Sequence, residues 1–111
     1  MNAAQKAEVL KIVSKDCGAA AEYLDENGQT CAVGAIARAA GVTDKQLRRQ
    51  NNNKIIRRPM LYRPIRERFG LTVEELMKIQ NINDLYSDAL VRRDAVKWIV
   101  SCLGIEEAQK P

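Results

Sequence analysis

The stretch whose reading decides the fold is Thr30-Cys31-Ala32-Val33-Gly34-Ala35-Ile36-Ala37-Arg38-Ala39-Ala40-Gly41-Val42-Thr43-Asp44-Lys45-Gln46-Leu47-Arg48-Arg49. Residues 31–40 (CAVGAIARAA) suit a short helix, with Thr30 as its expected N-cap and Gly41 as a left-handed C-cap. Thr43-Asp44-Lys45-Gln46 has the spacing of a capping box, opening another helix through about Gln50. The small residues Ala32, Gly34, Ala35, Ala37 and Ala39 let neighbouring elements approach closely. Two short helices and a tight turn predict a helical protein.

The rest of the chain agrees. Val9, Val13, Cys17, Ala20, Ala21 and Leu24 recur at spacings of three and four, predicting one amphipathic helix over 3–24, loosened at Gly18. Asp25-Glu26-Asn27-Gly28 would end it in a turn. Pro59 and Pro64 are expected to split 57–66 into short or extended pieces. Thr72-Val73-Glu74-Glu75 is a second capping box, with Val73, Leu76, Met77 and Gln80 expected on one side of its helix. A last helix over about 88–103 carries Val96, Ile99, Val100 and Leu103 on one face and stops at Gly104. No period-two strand of useful length is present. The expected fold is all-α: a compact single domain, 1–111, of five or six short helices.

With 111 residues, of which 27 are Leu, Ile, Val or Phe, the chain can bury a real, mainly aliphatic core. Histidine is absent, which removes Ser-His-Asp and Cys-His catalysis and every His-bearing zinc site. Three cysteines, at 17, 31 and 102, form neither a disulfide framework nor a CxxC pair. They read as reduced, mostly buried thiols of a cytoplasmic protein. No signal-peptide core and no membrane-length apolar run is seen, so no membrane partner is expected. No cofactor is expected either.

Charge is unevenly spread. Residues 1–44 and 71–111 each sum to −2, whereas 45–70 carries nine basic residues against Glu67 alone, a balance of +8. Seven of the nine are arginine, whose planar fork suits phosphate and carboxylate. Such a block is the footprint of a polyanion binder, nucleic acid or an acidic protein surface. Its bland alternative is a solvated face paired with the acidic flanks. The candidate nucleic-acid-binding residues are Lys45, Arg48, Arg49, Asn52, Lys54, Arg57, Arg58 and Arg63. Asn51-Asn52-Asn53, Pro59 and Pro64 make the basic segment 45–68 suited to a mobile arm that orders on binding.

Val33 to Arg49 resembles a bacterial helix-turn-helix. Ala37 stands where two helices would cross, and Gly41, four residues later, where the turn needs a positive φ. Ile36, Val42 and Leu47 would be buried between the pair. Thr43, Lys45, Arg48, Arg49 and Asn52 would face a major groove. Gln50 departs from the motif, where an apolar anchor is usual, and Asp44 would set a like charge against phosphate. A plain αα-hairpin fits the same residues.

A second resemblance spans about 20–103. Cys31-Ala32-Val33-Gly34-Ala35-Ile36, Gly70-Leu71-Thr72 through Ile82-Asn83-Asp84, and Ala95-Val96-Lys97-Trp98-Ile99 resemble a family of small uncharacterised phage and prophage proteins. These share a Cys-φ-Gly-φ helix, φ being apolar, and a downstream Asn-Asp pair. The resemblance implies a mobile-element origin and a small helical fold, not an activity. In it Cys31, Gly34 and Gly41 would be packing residues and Asn83-Asp84 a helix cap or turn. The basic block 45–68 has no counterpart in that pattern.

Three classes of function follow. The first is a nucleic-acid-binding accessory protein using the helix-turn-helix-like segment. The second is a phage-encoded inhibitor of a bacterial defence system, anti-CRISPR-like, binding protein through the same arginines. The third, an enzyme, lacks histidine, a phosphate loop and a metal cluster, so no catalytic residue is assigned. A homodimer, if formed, would use the last helix, where Trp98 sits beside Ile99 and Val100; a buried core tryptophan is the alternative.

Overall fold

The computed structural model describes residues 1–15, 23–50 and 59–105. Among these residues are six helices: α1 (Ala3–Lys15), α2 (Ala32–Ala39), α3 (Asp44–Gln50), α4 (Pro59–Phe69), α5 (Val73–Leu85) and α6 (Ala89–Ser101). Among the described residues the one trace of β-structure is an isolated antiparallel bridge between Leu24 and Thr30. The fold is all-α.

α2 is the hub. It packs against α1, α3, α4 and α5, while α6 lies across α1 and α5. Six consecutive α2 residues, Ala32 to Ala37, are buried. The small residues among them, Ala32, Gly34, Ala35 and Ala37, explain how so many neighbours fit around eight residues. Gly34 shows this most sharply, since a Cβ added there would stand 2.0 Å from the Tyr23 carbonyl oxygen. No side chain larger than hydrogen is compatible with that approach.

The end of α2 is a Schellman motif. Val42 N–H donates to the Ala37 carbonyl and Gly41 N–H to that of Arg38, both at 3.0 Å, with Gly41 at φ +101°. Val42 is thereby turned into the core, with Leu47 behind it. The capping box at Thr43 forms as expected, with Thr43 N–H on Gln46 Oε1 and Gln46 N–H on Thr43 Oγ1. So does the one at Thr72 and Glu75. A third reciprocal pair, Asn2 with Gln5, opens α1 and was not foreseen from sequence.

Several expectations need correction. The first helix is described over Ala3–Lys15 and the stretch 16–22 lies outside the described residues, but Leu24 is not helical: it is bridged to Thr30 across the Asp25–Gly28 turn. Asp25 Oδ1 holds that turn by accepting from the N–H groups of Asn27 and Gln29. Thr30, engaged in the bridge, does not cap α2; Cys31 does, its Sγ accepting from Gly34 N–H at 3.3 Å.

The two prolines do not break up 59–66. Pro59 is the first described residue of α4, and proline is well tolerated in the first turn of a helix. Pro64 lies inside α4 and cannot donate to the Met60 carbonyl, a loss of about 3 kcal/mol. Against this, Leu61, Ile65 and Phe69, spaced four apart, are each fully buried, contributing about 1.5–3 kcal/mol apiece. Burial wins. On α5 the buried stripe is Leu76, Ile79, Gln80 and Asn83, whereas Met77 is exposed. Trp98 is not a core residue, being 61% exposed, and Cys102 is exposed as well. Cys17 lies outside the described residues.

The Gly34 contact gives a direct test. Gly34→Ala should destabilise the protein by about 3 kcal/mol or more, because the obstructing atom is backbone and cannot swing away. Thermal unfolding should show a midpoint lowered by at least about 12 °C. A shift of a degree or two would mean that α2 and Tyr23 are not packed this closely.

Candidate nucleic-acid interface

α3 is a short helix with two unlike sides. Leu47 and Gln50 point inward, at 0% and 7% exposure, while Lys45, Arg48 and Arg49 are all exposed. The division follows from the anchoring just described. Val42 and Leu47 fix the rotation of the helix, and positions 45, 48 and 49 are then left on the solvent side. Arg48 and Arg49 also complement the carbonyl end of α3, an effect of about 0.3–1 kcal/mol that they would have without any ligand.

Gln50, the position at which the helix-turn-helix pattern expects an apolar anchor, is buried all the same. Its Nε2 donates to Met60 Sδ at 3.5 Å, tying the end of α3 to the start of α4. The helix it reaches carries further arginines. Arg63, Arg66 and Glu67 are exposed on α4 and, with Pro59 and half-buried Tyr62, line a shallow cleft of about 310 Å³. Arg66 donates to the Gly70 carbonyl at 3.0 Å. Arg68 is taken up by Glu8 on α1 at 2.7 Å and lies over the Phe69 ring.

Asp44, which would repel phosphate, is held by Arg38 Nε at 3.1 Å. The acid is therefore partly neutralised from within the fold. Lys45, Arg48, Arg49 and Arg63 make no ion pair among the described residues. The solvated-face alternative, in which the acidic flanks neutralise the basic block, holds for Arg68 and not for these four. Asn52, Lys54, Arg57 and Arg58 lie outside the described residues.

Cys31 and the Asn83-Asp84 pair form a separate cluster, in which Cys31, Gln80 and Asn83 are buried and Asp84 is exposed. Asn83 Oδ1 accepts from Ala32 N–H at 2.9 Å, and its Nδ2 donates to Asp84 Oδ1. Cys31 Sγ lies 3.7 Å from Gln80 Oε1, and Gln80 Nε2 donates to Asp84 at 2.8 Å. Asn83 is thus a helix cap, but of α2 rather than of its own helix. No group of His, Cys, Asp and Glu suited to a metal ion occurs among the described residues. No helix there is long and apolar enough to cross a membrane.

No protein-family model, curated protein or solved structure matches the chain. The fold leaves Lys45, Arg48 and Arg49 on the solvent side of α3, and Gln50 ties that helix to α4, which carries Arg63. Sequence reading passed over Arg66, which lines the same cleft as Arg63; its i+3 spacing on one helix face was the available signal.

Tyr23 closes the cluster and yields a pH prediction. Its hydroxyl is pushed above the ordinary value of 10.0, first by burial, then by the negative charges of Cys31 and Asp84. A raised folded-state value means that the folded protein holds this proton more tightly than the unfolded chain. The resulting stability is complete below about pH 10 and is lost as pH rises beyond it. Unfolding measured from pH 9 upward should show stability falling above about pH 10, and Tyr23→Phe should remove that component. An identical alkaline profile in the variant would mean that Tyr23 is not the group responsible.

Proposed function

We propose that this protein is a non-enzymatic accessory protein, of phage or bacterial origin, that binds nucleic acid through the basic face of α3. The observation that carries this reading is the exposure of Lys45, Arg48 and Arg49 on one side of a short helix, unpaired among the described residues and backed by buried Val42 and Leu47. A short helix held rigidly behind a tight turn presents its side chains without further ordering cost, as insertion into a major groove requires. Arg63 extends the charged surface onto α4, where it would meet phosphate.

The mechanism is electrostatic docking followed by edge reading. Lys45 and the arginines displace counterions from the phosphate backbone, which supplies most of the affinity and makes it steeply salt-dependent. Arg48 and Arg49 have the fork geometry for the O6 and N7 edge of guanine. Asp44, bound to Arg38, is kept from opposing them.

A second reading is a protein-binding inhibitor of a bacterial defence system. Leu90, Val91 and Trp98 favour it, because all three are exposed on α6 and apolar surface of that kind suits a protein contact. The same surface would serve a homodimer reading two half-sites. The two readings separate by salt dependence: steep for duplex, shallow for a protein partner.

Fluorescence anisotropy with random duplex of about 25 base pairs is the test. Micromolar binding at low salt is expected; on random sequence Arg48 and Arg49 rest on phosphate rather than on guanine, so Arg48→Ala/Arg49→Ala should reduce the salt slope by about 1.8, 0.9 for each lost phosphate contact. Absence of binding at low salt would overturn the nucleic-acid reading.

A further inference from the structure

The basic block is a property of residues 45–70, yet a second cationic site is built from the acidic N-terminal third. α1 and α2 enclose a cleft of about 280 Å³, floored by Ile12, Ala35 and Ala39 and rimmed by Lys11, Lys15 and Arg38. Resting on the nucleic-acid reading above, we infer that this cleft is a second phosphate-contact site, taking the backbone of double-stranded DNA whose groove is occupied by α3.

Charge is the first support. Glu8 also lines the cleft, but Arg68 holds its carboxylate at 2.7 Å. Asp44, the other acid at hand among the described residues, is held by Arg38 at 3.1 Å. Lys11 and Lys15 are exposed, one helical turn apart, and make no ion pair among the described residues. With both acids engaged, two ammonium groups are left to meet an anion from outside.

Shape and continuity are the second. Alanines at 35 and 39, spaced by one turn of α2, leave open the volume that larger side chains would fill. Arg38 connects the cleft to the interface, since its Nε binds the first residue of α3. Lys45 follows Asp44 in the chain, Arg38 binds Asp44, and Lys11 and Lys15 line the same cleft as Arg38, so a backbone held at Lys45 would reach the cleft by way of Arg38. In helix-turn-helix docking the helix before the reading helix crosses the backbone, and Arg38 stands on that helix here.

The occupant is a duplex rather than a free anion. The lysines are solvent-exposed, so a lone phosphate would gain little from them in water. A phosphodiester already held near the cleft by α3 arrives at high effective concentration, and two exposed cations then suffice.

The experiment is the same titration with duplex of about 25 base pairs, repeated between about 50 and 200 mM salt for Lys11→Ala/Lys15→Ala, Lys11→Arg/Lys15→Arg and the parent protein. The alanine pair should lower the salt slope by about 1.8, so that the parent loses about 12-fold more affinity than this variant across that range. The arginine pair should restore the parental slope. Thermal unfolding of each variant should match the parent, as both lysines are exposed. An excess of inorganic phosphate should compete no better than its ionic strength predicts.

Duplex binding with an unchanged slope in the alanine pair would overturn the cleft and leave the α3 interface standing. So would loss of affinity at a parental slope, or competition by phosphate at low concentration. Failure of the parent protein to bind duplex at all would overturn both.

Discussion

The hydrogen bond from Ala32 N–H to Asn83 Oδ1, 2.9 Å long and spanning 51 residues of sequence, is the contact on which the architecture rests. A helix start leaves N–H groups without internal partners, and water normally satisfies them. Here the first residues of α2 are fully buried, so water cannot. Asn83 supplies an acceptor from α5, and Cys31 Sγ supplies another to Gly34 N–H. An unsatisfied N–H in this position would cost about 1–3 kcal/mol. With the cap in place, α2 can lie at the centre of the molecule, packed against α1, α3, α4 and α5.

The consequence reaches the surface. Because α2 is central and its C-terminus closes in a Schellman turn, α3 leaves at a set direction with Val42 and Leu47 pinned inside. The outward positions of α3 are then Lys45, Arg48 and Arg49, with Arg63 on the helix that Gln50 reaches. The rigid interior and the charged exterior thus share one cause. The apolar residues that define the turn are also those that aim the cations.

Much of this was legible in the residues. Thr43 with Gln46, Thr72 with Glu75 and Gly41 are local signals, decided by atoms three to five residues apart, and each formed as the pattern implied. Ile36, Val42 and Leu47 were legible as core for the same reason. What misled was context. Pro64 reads as a helix breaker until Leu61, Ile65 and Phe69 are seen to be buried together. Thr30 reads as the cap until its pairing with Leu24 hands that role to Cys31. Met77 reads as part of one face with Leu76 and Gln80, and Trp98 as either an interface or a core residue, but the rotation of α5 and α6 against their neighbours leaves both outside.

The sequence by itself determined the helical class, the caps and turns that divide the chain, and a +8 block between acidic flanks. These depend on short-range stereochemistry and on composition, which need no knowledge of what lies opposite. Only the tertiary structure decided that Asn83 caps a distant helix, which arginines are already engaged by acids, and that Lys11 and Lys15 share a cleft with Arg38. Helix packing brings together side chains from remote parts of the chain, and the sign and reach of a surface charge depend on its neighbours in space.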